Sequence, residues 1–165
     1  MSGPFTARPA NLADAPAMTV IYNQGIEDRI ATFETTPRGV EAVEAWLASG
    51  LPVVVVTDSA GAVVGYAATF AYSDRCCYAG IAEFSVYVER GHRGAGVGKH
   101  AMAALIDAAR AQGMHKLLSR VFVENSASLG LLRSQGFREV GVHQRHGQLD
   151  GVWRDVVAVE RLIEA

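Results

Sequence analysis

Residues 83–98 read Glu-Phe-Ser-Val-Tyr-Val-Glu-Arg-Gly-His-Arg-Gly-Ala-Gly-Val-Gly, and an alanine-rich stretch follows directly. The first residues alternate as a strand does, placing Glu83, Ser85 and Tyr87 on one face and Phe84, Val86 and Val88 on the other. The glycines at 94, 96 and 98 permit positive φ and close backbone approach, so successive N–H groups can converge on a phosphate oxygen where strand gives way to helix. Arg93 adds positive charge to the same turn. The stretch therefore predicts a site for a phosphorylated cofactor, and it fixes a strand–turn–helix unit from which the rest of the fold can be read.

Downstream, Met102, Leu105, Ile106 and Ala109 recur at helical spacing over Val97–Gln112, with Gly113 as the stop. Leu117–Val123 returns as a strand, and the β-α-β unit so formed should be right-handed with parallel strands. A helix over Ser126–Ser134 ends at Gly136, and Phe137–His143 and Arg154–Leu162 read as the last two strands. Upstream, Thr6–Arg8 reads as a short strand and Asn11 with Asp14 as a helix start; the helix runs to about Gln24 and ends at Gly25. Val40–Leu47 is a second helix, Val53–Val56 and Val63–Tyr72 a hairpin, and Ile26–Pro37 and Ser73–Tyr78 are loops. The fold class is a single-domain mixed α/β sheet with flanking helices over residues 1–165.

The chain has 165 residues, half of them apolar and with a formal net charge of −2, enough for one buried core and without a basic stretch for nucleic acid or an anionic membrane. No apolar run reaches bilayer-spanning length and the N-terminus lacks a signal-peptide pattern, so a cytoplasmic location is expected. The adjacent Cys76 and Cys77 fit a reducing compartment. His143 and His146 lack supporting ligands at metal-site spacing, so no metal is expected.

Three glycine-rich devices compete for residues 93–101. A P-loop needs a glycine five positions before the Gly98-Lys99 pair and a Ser or Thr after it; Arg93 and His100 stand there instead. A dinucleotide fingerprint fits Gly96-x-Gly98-x-x-Ala101, but the roughly 70 residues that follow cannot build a doubly wound sheet. The third device, Arg93-x-x-Gly96-x-Gly98 at a strand-to-helix junction, is matched in full.

With Asn125-x-x-Ser128 and Gly136-Phe137 downstream, the chain resembles the GNAT superfamily of N-acetyltransferases over nearly its whole length. Within it, Ile21-Tyr22-Asn23, Ala31-Thr32-Phe33-Glu34, Glu83–Val88 and Gly147-x-x-x-Gly151-x-Trp153-x-Asp155 resemble the phosphinothricin and methionine sulfoximine acetyltransferases. Residues 25–34, Cys77–Gly80 and Lys116–Arg120 resemble the arsinothricin-resistance acetyltransferases. The resemblance implies acetyl-CoA as cosubstrate, with the pantetheine arm on the backbone of Val86, Tyr87 and Val88. It places the pyrophosphate on Arg93, Gly94, Ala95, Gly96, Val97 and Gly98, and gives Asn125 and Ser128 further cofactor contacts. Asn125 has the alternative of capping the helix that follows it.

Acetyl transfer to an amine needs a base, and Glu83 is the candidate, a carboxylate in an otherwise apolar strand; its alternative is an ion pair with an arginine. The resemblance implies a small amino-acid acceptor with a second anionic group, and Arg75 is the expected anchor, with Ser73 and Asp74 beside it and Arg29, Phe33, Phe84 and Ser85 completing the acceptor site. It also implies a homodimer, with Trp153, Arg154 and the Gly147–Gly151 turn at the interface. One departure stands out. Leu132 occupies the position where related enzymes place a Tyr or His, so no side-chain acid is expected from it; Tyr78 and Tyr87 are the substitutes to consider.

Overall fold

The computed structural model describes residues 4–164. Seven strands form one sheet in the order β1-β2-β3-β4-β5-β7-β6, comprising β1 Thr6–Pro9, β2 Val53–Thr57, β3 Val63–Ala71, β4 Ile81–Val88, β5 Lys116–Phe122, β6 Arg138–Leu149 and β7 Val152–Leu162. Four helices flank it: α1 Ala15–Asp28, α2 Val40–Ala48, α3 Val97–Ala111 and α4 Ser126–Ser134. The five residues of β2 are all buried because both faces of that strand are covered. On one face α3 lays down Ala101, Met102, Leu105, Ile106 and Ala109 against Val54, Val56, Ala82, Phe84 and Leu117. On the other, Met18, Ile21, Tyr22 and Ile26 of α1, with Val43 of α2, pack on Val53, Val55, Tyr66 and Tyr87.

The expected mixed sheet and its β4-α3-β5 unit are present, and every neighbouring pair except β4 with β5 is antiparallel. Asn11 and Asp14 form the anticipated cap as a reciprocal pair: Asn11 Oδ1 accepts from the Ala13 N–H at 3.0 Å, and Asp14 Oδ2 accepts from the Asn11 N–H at 2.8 Å. Asp14 is also held bidentately by Arg8, at 2.8 and 2.9 Å.

Three boundaries differ from the sequence reading. Gly25 does not end α1: the helix runs on to Asp28 and stops at Arg29, in the left-handed region at φ 55. Gly25 is needed for proximity instead, since a Cβ there would stand 2.6 Å from Tyr87 Cε1. Cys76–Tyr78 is a single 3-10 turn within the β3–β4 connection. The C-terminal hairpin is longer than the patterning showed, because β6 extends to Leu149 and pairs with a β7 that begins at Val152 across Asp150-Gly151. Residues 147–149 are therefore strand. Its exposed, polar run Gln144–His146 carries no alternation to read.

Candidate active site

Strands β4 and β5 pair for only three residues, Ile81–Glu83 against Lys116–Leu118, and then part. From there β4 stays with β3 to Val88, while β5 stays with β7 to Phe122. The antiparallel register assigns the backbone groups of β4. Glu89 N–H bonds to Val64 C=O, so the odd residues of the strand face β3 and the even ones face the gap. Ser119 Oγ bonds to the Phe84 carbonyl at 2.9 Å and closes the apex. Above it, the N–H and C=O groups of Val86 and Val88 are directed into the gap without a strand partner, and the Val88 carbonyl accepts from Arg93 Nε at 3.4 Å. The register turns the backbone of Tyr87 to β3, and the residue lines the cavity into which the gap opens.

The gap opens into a cavity of about 430 Å³ lined by Val86, Tyr87, Val88, Arg93, Gly94, Gly96, Val97, Gly98, Asn125 and Ser128. Sequence reasoning had placed all of these at the cofactor; Ala95 lies in the turn but not on the cavity wall. Gly94 and Gly96 have φ of 80 and 89, and Gly96 begins α3 with no side-chain cap. The first N–H groups of α3 are thus left to a ligand. Gly98 is different: it is helical, and its missing Cβ admits Leu131 of α4, whose Cδ2 would be 2.8 Å away. His92, Lys99 and Leu131 also line the cavity and were missed. For Lys99 a signal existed in its place in the first helical turn.

The shoulder of the turn is bolted to the end of α1. Gln24 accepts from the Arg90 N–H at 2.9 Å, and Glu27 and Asp28 pair with Arg90 at 2.9 Å each. Arg93 donates to Asp28 at 2.7 Å. The two guanidinium groups, Arg90 first and then Arg93, hold the Asp28 carboxyl below the usual range. Beside them Glu89 is likewise lowered, by its hydrogen bond to His92 and then by the Gly91 N–H.

A smaller cavity of about 50 Å³ continues toward the apex, lined by Phe84, Ser85, Ser119, Arg120, Asn125, Ser128 and Leu132 among others. Glu83 lines neither cavity; its Oε1 lies 3.1 Å from Nη2 of Arg120, which lines the smaller one. Leu132 is almost fully buried and gives the apex an apolar wall with no proton donor. Of the two substitute tyrosines, Tyr87 contributes to the wall of this cavity and Tyr78 does not. Tyr78 stacks edge-on against Tyr72 in the β3–β4 connection, and the ring of Tyr87 packs between Tyr22 and Tyr66, where burial pushes its phenol far up.

Residues 29–34 cross the open side of the gap. Arg29 pairs with Asp150 at 3.0 Å, the Ile30 carbonyl accepts from Asn125 Nδ2 at 3.1 Å, and Phe33 packs edge-on against Phe122. Asn125 is therefore both cap and tether, because its Oδ1 accepts from the Ser128 N–H at 3.2 Å. The remaining expected acceptor residues lie in the β3–β4 connection. Ser73 Oγ accepts from the Arg75 N–H at 3.1 Å, Asp74 is exposed, and the Arg75 guanidinium lies 5.7 Å above the Tyr78 ring. None of Ser73, Asp74, Arg75, Arg29 and Phe33 lines either cavity. No cluster of metal-binding side chains occurs among the described residues.

A parted parallel strand pair, strand-edge backbone groups turned into the gap along one lip and an uncapped helix start at its mouth together fit a long ligand with a phosphate group at one end. The comparisons agree. The acetyltransferase (GNAT) family profile matches residues 21–137. The L-methionine sulfoximine/L-methionine sulfone acetyltransferase of Pseudomonas aeruginosa is 36% identical over 157 residues, covering 93% of this chain and 91% of the relative. A GNAT superfamily phosphinothricin acetyltransferase from Sinorhizobium meliloti, solved in complex with acetyl-CoA, superposes with a TM-score of 0.90 at 30% identity, covering 98% of this chain and 89% of that one. The yncA structure from Salmonella typhimurium, with its cofactor acetyl-CoA, gives a TM-score of 0.93 at 29% identity over 99% of this chain and 96% of its own.

Proposed function

The chain belongs to the GNAT acetyltransferase family and uses acetyl-CoA, and from that premise we propose that it N-acetylates the α-amine of glutamate-analogue antimetabolites: phosphinothricin, methionine sulfoximine and arsinothricin. The observation that carries the reading is the parting of β4 from β5 with a carboxylate, Glu83, at its edge. Relatives named for phosphinothricin and for methionine sulfoximine support the acceptor class. Arsinothricin rests on the sequence resemblance of residues 25–34, Cys77–Gly80 and Lys116–Arg120.

Bound acetyl-CoA supplies an acyl group activated as a thioester. The phosphates are held by the N–H groups of the Arg93–Gly98 turn and the start of α3, and the pantetheine arm by Val86 and Val88 as an added strand edge. Glu83 takes a proton from the acceptor ammonium, directly or through one water. The Val86 N–H, directed into the gap, stabilises negative charge developing on the acyl oxygen. With Leu132 at the apex, the departing thiolate takes its proton from solvent. Arg75 receives the acceptor's side-chain anion, using the bidentate geometry of guanidinium.

Acetylation removes the positive charge of the amine, so an antimetabolite so modified no longer mimics its parent amino acid; this is resistance by direct transfer in the cytoplasm. A homodimer formed through β6 completes the proposal. That strand is an edge, exposed along most of its length, and Val140 and Val142 on it, with Trp153 at the start of the neighbouring β7, are each at least half exposed.

The test is release of coenzyme A thiol from acetyl-CoA with arsinothricin, phosphinothricin, methionine sulfoximine, glutamate and N-terminal peptides as acceptors. Release with the antimetabolites supports the reading. Release with peptides alone overturns it in favour of protein N-terminal acetylation. Tight acetyl-CoA binding with no release across the panel makes the chain an acyl-CoA sensor.

A further inference from the structure

We propose that Arg120 recognises the acceptor's α-carboxylate and, in doing so, releases Glu83 to act as base, so that the Glu83–Arg120 ion pair restricts transfer to free α-amino acids. The inference rests on the reading of the chain as an amino-acid N-acetyltransferase with Glu83 as base, and it adds a specificity-determining residue that the sequence reading did not single out.

The two side chains lie on the same face of the sheet. Glu83 pairs in register with Leu118, and Arg120 lies two residues beyond Leu118, at the point where β5 has parted from β4. Arg120 lines the small apex cavity together with Ser85 and Val86. The contact between them is a single hydrogen bond, Nη2 to Oε1 at 3.1 Å, and it is Arg120's one side-chain hydrogen bond among the described residues. The side chains are 45% and 33% exposed. Such a pair is cheap to open, unlike the bidentate Arg8–Asp14 contact, which is buried on its acidic side. Four of the five guanidinium donors remain for a carboxylate to engage.

The chemistry of the acceptor matches this arrangement. An α-amino acid carries its ammonium and its carboxylate on one carbon, and the site offers a carboxylate and a guanidinium in contact with each other. Binding exchanges one protein ion pair for two with the ligand: Arg120 turns to the α-carboxylate, and Glu83 is left facing the ammonium. One proton passes from the ammonium to Glu83, which later returns it to solvent; as the N–C bond to the acetyl carbon forms and the C–S bond breaks, the nitrogen gives up its second proton to solvent and the departing thiolate takes one from solvent, leaving the amide and the free thiol. An amine without an α-carboxylate leaves Arg120 on Glu83, and the base stays occupied. Arg75 then remains available for the acceptor's side-chain anion.

The experiment compares methionine sulfone with its α-carboxamide in the wild type and in Arg120→Ala, Arg120→Gln and Arg120→Lys. Coenzyme A release gives kcat and KM separately, and each variant's thermal midpoint is recorded. In Arg120→Ala the acid-to-amide ratio of kcat/KM is expected to fall about tenfold or more, with the loss on the acid appearing in KM and kcat on the amide rising. Arg120→Gln repeats this if the alanine variant folds poorly, and Arg120→Lys restores part of the acid preference. A fall in kcat of equal size on both acceptors, or an unchanged ratio, overturns the proposal while leaving the amino-acid reading standing. Absence of transfer to any amino acid by the wild type overturns that reading and this proposal together.

Discussion

Asp28 Oδ2 accepts a hydrogen bond from Arg93 Nη1 at 2.7 Å, so the charge that sequence reasoning assigned to the cofactor phosphates is engaged by the last residue of α1. A diphosphate has to compete with that carboxylate, which Arg90 and Arg93 keep ionised by lowering its proton affinity. Asp28→Asn is therefore expected to tighten acetyl-CoA binding about threefold or more, with the gain shrinking as salt is raised. Calorimetric titration at two ionic strengths checks this. Weaker binding in the variant would mean that Asp28 serves to orient Arg93.

Glu83→Gln keeps the size of the side chain and removes its basicity. General-base loss is worth about 10²–10⁴ in rate, so kcat should fall into that range while the acetyl-CoA Kd stays within about twofold. Stopped-time assays with parallel cofactor titrations separate the two. A variant that retains most of its turnover would assign the base elsewhere.

Gly96→Ala and Gly98→Ala test different physical requirements two positions apart. At Gly96 the neighbourhood is open, but φ of 89 strains any L side chain by about 1–2 kcal/mol. At Gly98 the conformation is helical, and the obstacle is the Leu131 side chain. Cofactor binding should fall in both. Truncating Leu131 in the Gly98→Ala background should recover it there, whereas no such rescue exists for Gly96→Ala.

Gly25→Ala puts a methyl group against the ring of Tyr87, itself packed on Tyr22 and Tyr66. Overpacking of this kind costs about 1–3 kcal/mol, and the thermal midpoint should drop accordingly. Tyr87→Ala would relieve the clash but open a cavity, so the double variant should be no more stable than Gly25→Ala by denaturant titration.

The Asp14 carboxyl sits below its ordinary value near 3.8, chiefly through its hydrogen bonds to Arg8 and, after the opposing cost of burial, through the Asn11 N–H. A carboxyl lowered in the folded state binds fewer protons there than in the unfolded chain. Its contribution is complete above the ordinary value and is lost as pH falls through the folded one. Asp14→Asn should lose about 1–2 kcal/mol at neutral pH, and the gap from the wild type should narrow below pH about 4 in acid titrations.

The strand, turn and helix of residues 83–112 were legible because the signals are local: a period of two, glycines at fixed offsets, then a period near 3.6. Much of the wall of the larger cavity followed, since Val86, Val88, Gly94, Gly96, Val97 and Gly98 are close to one another along the chain. Gly25 misled for the same reason. Nothing near it in sequence indicates that Tyr87, across the fold, needs the space its side chain would fill, so a helix-interior glycine reads as a stop.

What the chain by itself determined is the order of its elements, the glycine-rich turn between β4 and α3 and the carboxylate on β4, all set by spacing within a few residues. Tertiary structure alone decided which groups that carboxylate and that turn meet. Arg120 reaches Glu83 only because β5 lies parallel beside β4 for three residues and then leaves it, and Asp28 reaches Arg93 only because α1 runs three residues past Gly25. Ion pairs between residues 37 and 65 positions apart leave no periodic trace in a sequence, because charge acts through space and only packing sets the distance.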